Sequence, residues 1–427
     1  MGNTAVPLFA QDGMTLLAMF WFAVVLEVPR FLIASFYLVS RELLSRKPAY
    51  NAPAAGAMLQ RVPKISVLLP GHNEGPSLER AIRGLNEQTL RPDQIVIIDD
   101  GSTDNMASVG HSLRARGLVD VFISTGLRGG KSAAHNLGLT YCTGDIIVIA
   151  DIDTTFDRDA LERIIEPFAD GRVGAVSGNL GVRNADASML SRFQTIQYIT
   201  AIGLGRRVND MLFGLFIASG AFSAFRRDAL AQVGGWAAGP GEDGDMSTRL
   251  RRAGWEIRFQ PDAWALTDVP TTLSAFLRQR ARWNRSFVML RLRKHIQIMN
   301  PFRANFVLRD AAATFDALFF EAFRPMMFIA YSTWLIAHFG LLQALPIFAA
   351  VTALYMLAGT AMFLMASALA GDYGHRRLLA YVPGALLFNA LIQRPATVYA
   401  HFSELLLRRS YKDSFVPGRI LKRIDQF

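Results

Sequence analysis

The sequence predicts an α/β domain built on a doubly wound sheet and flanked on both sides by membrane-spanning helices. Two observations carry this. Short β-branched runs alternate with helical periodicity across residues 60–300, and long apolar stretches stand before and after that region. Composition is a third: 51% of the 427 residues are hydrophobic and 19% charged, which excludes a disordered chain and exceeds the apolar content of an ordinary soluble domain. The length suits two or three domain-sized pieces. Cys142 is the only cysteine, so an intramolecular disulfide and a multi-cysteine zinc centre are both excluded.

Within 60–300, the runs Lys64–Leu69, Gln94–Ile98, Val121–Ile123, Asp145–Ala150 and Val173–Val176 read as buried parallel strands. Leu78, Ile82 and Leu85 fall on one helical face after Pro76-Ser77, a helix start. Ligands bind such sheets at the carboxyl ends of the strands. Three polar clusters sit there: Asn73-Glu74 after the first run, Asp99-Asp100 after the second, and Asp151-Ile152-Asp153 after the fourth.

Residues 14–39 carry only Glu27 and Arg30 as charges and are long enough to cross a bilayer. The run is too long for a signal-peptide core and follows no basic residue, so a span over 1–45 is expected rather than a leader. Arg41, Arg46, Lys47, Arg61 and Lys64 follow it, which orients the N-terminus outside and the α/β domain in the cytoplasm. Apolar texture returns over 313–406, with spans expected near 319–339, 344–370 and 378–403. Three more crossings would leave the C-terminus outside. The tail over 407–427 is basic, with Arg408, Arg409, Lys412, Arg419, Lys422 and Arg423, and argues for inside. Gln393, Arg394 and Pro395 mark the last segment as broken, re-entrant or interfacial. Between Asp268 and Asp310 there is no acid and nine Lys or Arg residues. Apolar residues such as Phe276, Phe287 and Leu290 interleave with them, so 270–310 reads as a segment on the membrane surface rather than a nucleic-acid site.

Each polar cluster has a chemistry. Asp151 and Asp153 offer hard oxygens two residues apart at a strand end, suited to Mg²⁺ or Mn²⁺ bridging to substrate phosphates. Gly129-Gly130-Lys131-Ser132 is not a Walker A loop, because Thr125 stands where the pattern needs glycine. It still offers phosphate a pair of backbone N–H groups and one point charge. Gly241-Glu242-Asp243-Gly244-Asp245 contains a candidate general base, or simply acids favoured at a helix N-terminus. Gln279-Arg280-Ala281-Arg282-Trp283 combines an amide, guanidinium groups that suit pyrophosphate and an indole that suits a sugar face.

Six pieces in order then resemble the membrane-embedded, processive family 2 glycosyltransferases, the group of the cellulose, hyaluronan, chitin-oligosaccharide and poly-N-acetylglucosamine synthases. They are Asp99-Asp100-Gly101-Ser102, Gly130-Lys131 with Asn136, Asp151-x-Asp153, Ser219-Gly220-Ala221, Glu242-Asp243, and Gln279-x-x-Arg282-Trp283. The resemblance covers 63–300 densely and the flanking segments in outline. It implies a GT-A fold and an inverting transfer that turns an α-linked UDP-sugar into a β-linked product. By the same resemblance Asp99 or Asp100 contacts uracil or ribose, with Asn73 and Glu74 beside them. Lys131 meets the diphosphate, and Asp151 and Asp153 serve the diphosphate and the metal, Mg²⁺ or Mn²⁺. Asp243 is the base. Ser219 and Gly220 line the acceptor side, and Gln279, Arg282 and Trp283 hold pyrophosphate and the acceptor end. The family's usual Thr-Glu-Asp reads Gly241-Glu242-Asp243 here.

The expected protein is thus a multi-pass enzyme of the inner membrane that extends a poly-N-acetylglucosamine- or glucan-like chain and feeds it through the bilayer. Its partners would be a UDP-sugar, a growing glycan or lipid acceptor, the membrane and accessory export subunits, without nucleic acid. The alternative is transfer of a single sugar to a lipid acceptor. A binding subunit without catalysis would lack the metal carboxylates or the base, and both are present. A transporter would carry its acids inside the apolar spans.

Overall fold

The computed structural model describes residues 31–44, 62–303, 306–412 and 416–422. Its strands are β1 (Ile65–Gly71), β2 (Gln94–Asp99), β3 (Val121–Ser124), β4 (Ile146–Ala150), β5 (Thr155–Phe156), β6 (Val173–Val182), β7 (Phe222–Arg226) and β8 (Glu256–Thr267). They form one sheet in the order β3-β2-β1-β4-β7-β6-β8-β5. Between them run helices α1 (Ala34–Leu44), α2 (Gly75–Asn86), α3 (Met106–Ala115), α4 (Lys131–Leu139), α5 (Met189–Gln197), α6 (Gly205–Phe213), α7 (Glu242–Arg252) and α8 (Leu273–Val288). The C-terminal part adds α9 (Leu308–Leu318), α10 (Arg324–Phe339), α11 (Leu341–Leu369), α12 (Val382–Phe388) and α13 (Arg394–Leu407).

The continuous apolar runs have a direct cause: both faces of the sheet are covered. Val67, Leu69, Ile95, Ile97 and Val148 point to one core, where Leu78, Ile82 and Leu85 of α2 meet them. Leu68, Val96, Ile98, Ile147 and Ile149 point to the other, against Ala134 of α4 and Met246 and Leu250 of α7. A strand buried on both sides has no solvent face on which to alternate.

The five expected strands are present, but the sheet is mixed. β3, β2, β1 and β4 are parallel. The chain then reverses: β7 pairs antiparallel with both β4 and β6 and separates them. The expectation of a parallel doubly wound sheet therefore fits only the first half. β7 and β8 escape sequence reading for physical reasons. β7 is five residues long, and β8 alternates Glu256, Arg258 and Gln260 with Ile257 and Phe259 before Pro261 interrupts it.

Several of the helices outside the sheet share one device. Four continuous helical runs each contain a π-helical stretch, at Tyr198–Leu204, Met289–Lys294, Phe319–Phe323 and Asn389–Gln393. Each stretch re-aims the residues that follow it.

Among the described residues one helix, α11, is long and apolar enough to cross a membrane. The expected span over 319–339 corresponds to a π stretch, Phe319–Phe323, followed by the 16-residue α10. The expected span over 378–403 is a broken run laid against the α/β domain: Phe388 packs on Phe193 and Phe276, Asn284 bonds Thr397, and Arg293 pairs with Glu404 at 3.1 Å. Most of the expected N-terminal span, residues 14–30, lies outside the described residues. Its continuation α1 packs Leu38 and Val39 against Phe363 and Ala366 of α11.

Candidate active site

One cavity of about 820 Å³ opens at the carboxyl ends of β1, β2 and β4. Register explains the convergence. Gly71 pairs with Asp99 and Leu68 with Ile149, so the residues after β1, β2 and β4 emerge along one edge. Because β7 runs antiparallel to β4, with Ala150 opposite Phe222, Ser219-Gly220-Ala221 arrives beside Asp151. The Asp151 N–H donates to the Ala221 carbonyl.

The wall made by the strand ends, the expected donor side, is acidic and crossed by one lysine. Lys131, the first residue of α4, donates from Nζ to Asp151 Oδ1 at 2.5 Å and to the Gly220 carbonyl at 3.3 Å. Burial alone pulls the ammonium down, but Asp151, Glu242 and Asp243 more than reverse this and hold it above the usual lysine value. Burial and the Asp151 charge push Asp153 up. Glu74 is pushed up to about 7 by burial and then by Asp153, Asp151 and Asp104. Arg183 donates to the Asp153 carbonyl and pairs with Asp268, which fixes the loop after β4.

The DDGS segment separates the two candidates that the resemblance left open. Asp99 does not line the cavity. It is fully buried, and its carboxylate accepts from the Ser102 N–H and the Ser124 hydroxyl. Asp100 does line it, yet its oxygens accept from Gly129 and Gly130 N–H at 2.6 and 2.7 Å. Asp100 thus braces the loop that launches Lys131. Asn73, at φ 62°, accepts from the Thr103 N–H and stays outside the lining, while Glu74 belongs to it.

The opposite wall, the expected acceptor side, comes from α7 and α8. Asp243 sits in the first turn of α7, whose N-cap is Gly241 at φ 73°. A Cβ on Gly241 would stand 3.0 Å from both Leu290 Cδ1 and Ser286 Cβ, and threonine in that left-handed conformation is strained. This accounts for the departure from Thr-Glu-Asp: the neighbouring helix occupies the space of the side chain. Burial and Asp243 hold the Glu242 carboxyl above its ordinary value. Gly220 is less constrained, but a Cβ there would lie 3.2 Å from Lys131 Nζ and 3.9 Å from Asp243 Oδ2. Gln279, Arg282 and Trp283 of α8 line the same cavity. Trp283 is 40% exposed and carries the Arg280 guanidinium over one face, 4.5 Å from its centroid.

Sequence reading missed several lining residues: His72, Tyr198, Arg206, Arg280 and Arg291. His72 stands in the bend after β1 beside Asn73-Glu74, Arg280 lies within the Gln279–Trp283 segment without having been given a role, and Tyr198, Arg206 and Arg291 lie in helical runs that no motif marks. It also treated 407–427 only as a basic tail. Val416 and Ile420 line the cavity, Pro417 lies against Gly130, and Arg419 donates to the Arg128 carbonyl.

Comparison with known proteins agrees with this geometry. Two curated poly-beta-1,6-N-acetyl-D-glucosamine synthases are each 31% identical to this chain. The one from Staphylococcus aureus matches over 253 residues, 58% of this chain and 59% of that protein. The one from Staphylococcus epidermidis matches over 242 residues, 56% and 58%. The chain therefore spans a little under three fifths of the curated relatives it matches. Among solved structures, the mannosyltransferase PcManGT from Pyrobaculum calidifontis, in complex with GDP-Man and Mn²⁺, superposes with a TM-score of 0.54 at 22% identity. The match covers 88% of this chain and 99% of that one, and it establishes the GT-A type of fold. Residues 66–234 match the model of glycosyl transferase family 2, so this chain carries a family 2 glycosyltransferase domain.

Proposed function

We propose that this chain is an inverting β-glycosyltransferase that uses a UDP-sugar and a divalent metal to extend a poly-N-acetylglucosamine-like polymer at a membrane. The single observation that carries the reading is convergence. One cavity gathers the paired carboxylates Asp151 and Asp153, the cation Lys131, the half-buried helix-start acid Asp243, and Gln279, Arg282 and Trp283. The named activity of the Staphylococcus relatives supports the choice of polymer.

The donor wall fits a hard cation. Asp153 and Glu74 are pushed up beside Asp151, a concentration of negative charge that a divalent ion relieves. Among the described residues no three His, Cys, Asp or Glu side chains form a ready cage. That suits Mg²⁺ or Mn²⁺, which bind through one or two carboxylates and complete their shell with water and substrate phosphate. When bound, the ion would neutralise charge on the leaving diphosphate.

This chain's own residues supply the rest. Asp243 takes the proton of the acceptor hydroxyl as that oxygen bonds to the anomeric carbon. The bond from that carbon to the diphosphate oxygen breaks on the opposite face, so configuration inverts. Lys131 and Arg282 meet the charge left on the diphosphate. Trp283 offers its open face to the acceptor ring.

The helical arrangement supports a membrane placement with three crossings. Glu321, just before α10, lines the cavity. Tyr373, just after α11, stacks on Trp264 at 4.4 Å and bonds Asp157. Both ends of the α10–α11 pair therefore return to the catalytic domain, as two crossings require. The exposed apolar surface of α11, with Leu342 83% and Leu357 72% exposed, suits lipid. With α12 and α13 lying on α8 and a first crossing over 14–39, the basic tail stays on the cytoplasmic side, as its charge demands.

The test uses the full chain in membranes, supplied singly with UDP-N-acetylglucosamine, UDP-glucose, UDP-glucuronic acid and UDP-galactose, with Mg²⁺ or Mn²⁺. Long glycosidase-sensitive product from one donor, absent in Asp243→Asn, is expected. A single-sugar lipid product would replace polymer extension with lipid glycosylation.

A further inference from the structure

We propose that Arg280 is a positioning residue for the acceptor platform: wedged between Trp283 and Phe276 and hooked to Gln197, its guanidinium fixes the plane of the indole and leaves the opposite face open to a sugar ring. The proposal rests on the reading of Trp283 as a residue that holds the acceptor end.

Phe276, Arg280 and Trp283 stand four and three residues apart on α8, so their side chains share one flank of the helix. The Arg280 guanidinium carbon lies 4.5 Å from the Trp283 ring centroid and 5.1 Å from that of Phe276. Phe276 is fully buried and packs on Phe388 of α12, with centroids 5.4 Å apart. Phe388 in turn packs on Phe193 of α5 at 5.6 Å. From its edge, the Arg280 Nη2 donates to Gln197 Oε1 at 3.0 Å, at the last residue of α5. The exposed indole is thus the outermost member of a stack whose inner end is fixed between α5 and α12.

Packing alone does not account for an arginine here. Arg280 is 9% exposed, its Nε–H has no hydrogen-bond partner, and among the described residues no acid pairs with it. Burying a guanidinium under these terms costs more than burying an apolar side chain of similar length. What arginine supplies, and methionine or leucine does not, is a flat charged plate. It stacks on a ring face while its edge still donates a hydrogen bond. An exposed tryptophan without such a support turns about its two side-chain torsions, and a ligand that uses the ring must order it on binding. The Arg280 plate orders the ring beforehand. It also covers one face, so that a sugar meets the indole from the cavity side, where Trp283 and Gln197 both line the wall.

The experiment compares Arg280→Met, Arg280→Lys, Gln197→Leu and Trp283→Ala in the full membrane-bound chain, with the UDP-sugar that supports turnover. It measures mean product length, total sugar incorporated and UDP affinity. A weaker hold on the chain end acts through faster release, so each binding event adds fewer sugars. Arg280→Met should shorten the mean product by about three- to tenfold, the cost of ordering one large side chain, with UDP affinity unchanged. Arg280→Lys keeps the charge and loses the plate, so its product should stay short; full rescue by lysine overturns the account of a fixed plane. Gln197→Leu, which unhooks the guanidinium, should shorten the product by less, and it carries the test should Arg280→Met fail to fold. A fall in sugar incorporated at unchanged product length overturns the proposal and leaves Arg280 a packing residue. A loss of UDP affinity overturns it too, by moving Arg280 to the donor side. Trp283→Ala should shorten the product at least as much as Arg280→Met. If it keeps wild-type length, the reading of Trp283 itself falls, an outcome distinct from wild-type length in Arg280→Met beside a short product in Trp283→Ala. A single-sugar product from the unaltered chain would remove the polymer end, and the proposal with it.

Discussion

The two walls of the cavity are built by different rules. The donor wall is made of strand ends: Glu74, Asp100, Asp151 and Asp153 follow β1, β2 and β4, and parallel register alone brings them to one edge. The acceptor wall is made of helix starts and helix flanks, with Asp243 at the head of α7 and Arg206, Arg280 and Arg291 on runs that contain π stretches. The donor wall concentrates negative charge against Lys131. The acceptor wall carries buried guanidinium groups on aromatic rings, Arg280 over Trp283 and Arg291 over Phe216. A strand-end site is specified by local sequence, whereas a helix-flank site is specified by how helices pack.

The sharpest way to break this comparison is at its two charged centres. Asp243→Asn should lower kcat by about 10²- to 10⁴-fold, the usual contribution of a general base, while UDP affinity stays within about twofold. Steady-state turnover with a nucleotide-binding titration would check it. A matching loss of UDP affinity would move Asp243 to the donor wall. Lys131→Ala should do the reverse, weakening UDP binding by about 10- to 100-fold through loss of a charge-assisted contact. Retained UDP affinity there would mean that Lys131 serves only Asp151.

These walls also explain what could be read in advance. Apolar runs ending in acids identify strand ends without any tertiary knowledge, so β1, β2 and β4 and their clusters were legible. The order of motifs added Lys131, Asp243 and the Gln279–Trp283 segment. Roles inside a motif were less legible. Asp99 and Asp100 are adjacent and chemically identical, yet one is sealed beneath Ser102 and Ser124 and the other ties down Gly129 and Gly130. Only the path of the loop decides which faces the cavity. Arg206 was invisible because its neighbour Arg207 has the same chemistry and the opposite direction. The last apolar segment reads only as broken, re-entrant or interfacial, because hydropathy does not distinguish a helix that crosses a bilayer from one that lies on α8, and the run is broken at Asn389–Gln393.

Gly241 sharpens the acceptor side. Gly241→Thr would restore the pattern of the related enzymes, yet it should harm this one. The left-handed backbone costs a β-carbon residue about 1–2 kcal/mol, and the new side chain meets Leu290 and Ser286. A fall in thermal stability of the full chain, with UDP affinity kept, is expected. An unchanged Tm would show that α7 and α8 can move apart freely.

The smallest expected effect tests the donor wall without altering turnover at all. Glu74 is pushed up to about 7, so near neutral pH its carboxyl is partly protonated. A divalent ion at Asp151 and Asp153 favours the ionised form and must expel that proton. Binding of UDP with Mn²⁺ should therefore release a fraction of a proton per site. The release should be greatest at about pH 6–7 and vanish by about pH 9, where Glu74 is already ionised. It should vanish at low pH as well, where the carboxyl stays protonated in both states. Titration calorimetry in buffers of different ionisation enthalpy reads this number directly. Glu74→Gln should abolish it while the affinity for UDP with Mn²⁺ changes little. Release that persists in that variant would assign the proton to Asp153, the other donor-wall carboxyl pushed up by burial and the Asp151 charge. No release in either protein would mean that the cation does not bind between these strand ends, and the strand-end account of the donor wall would lose its metal.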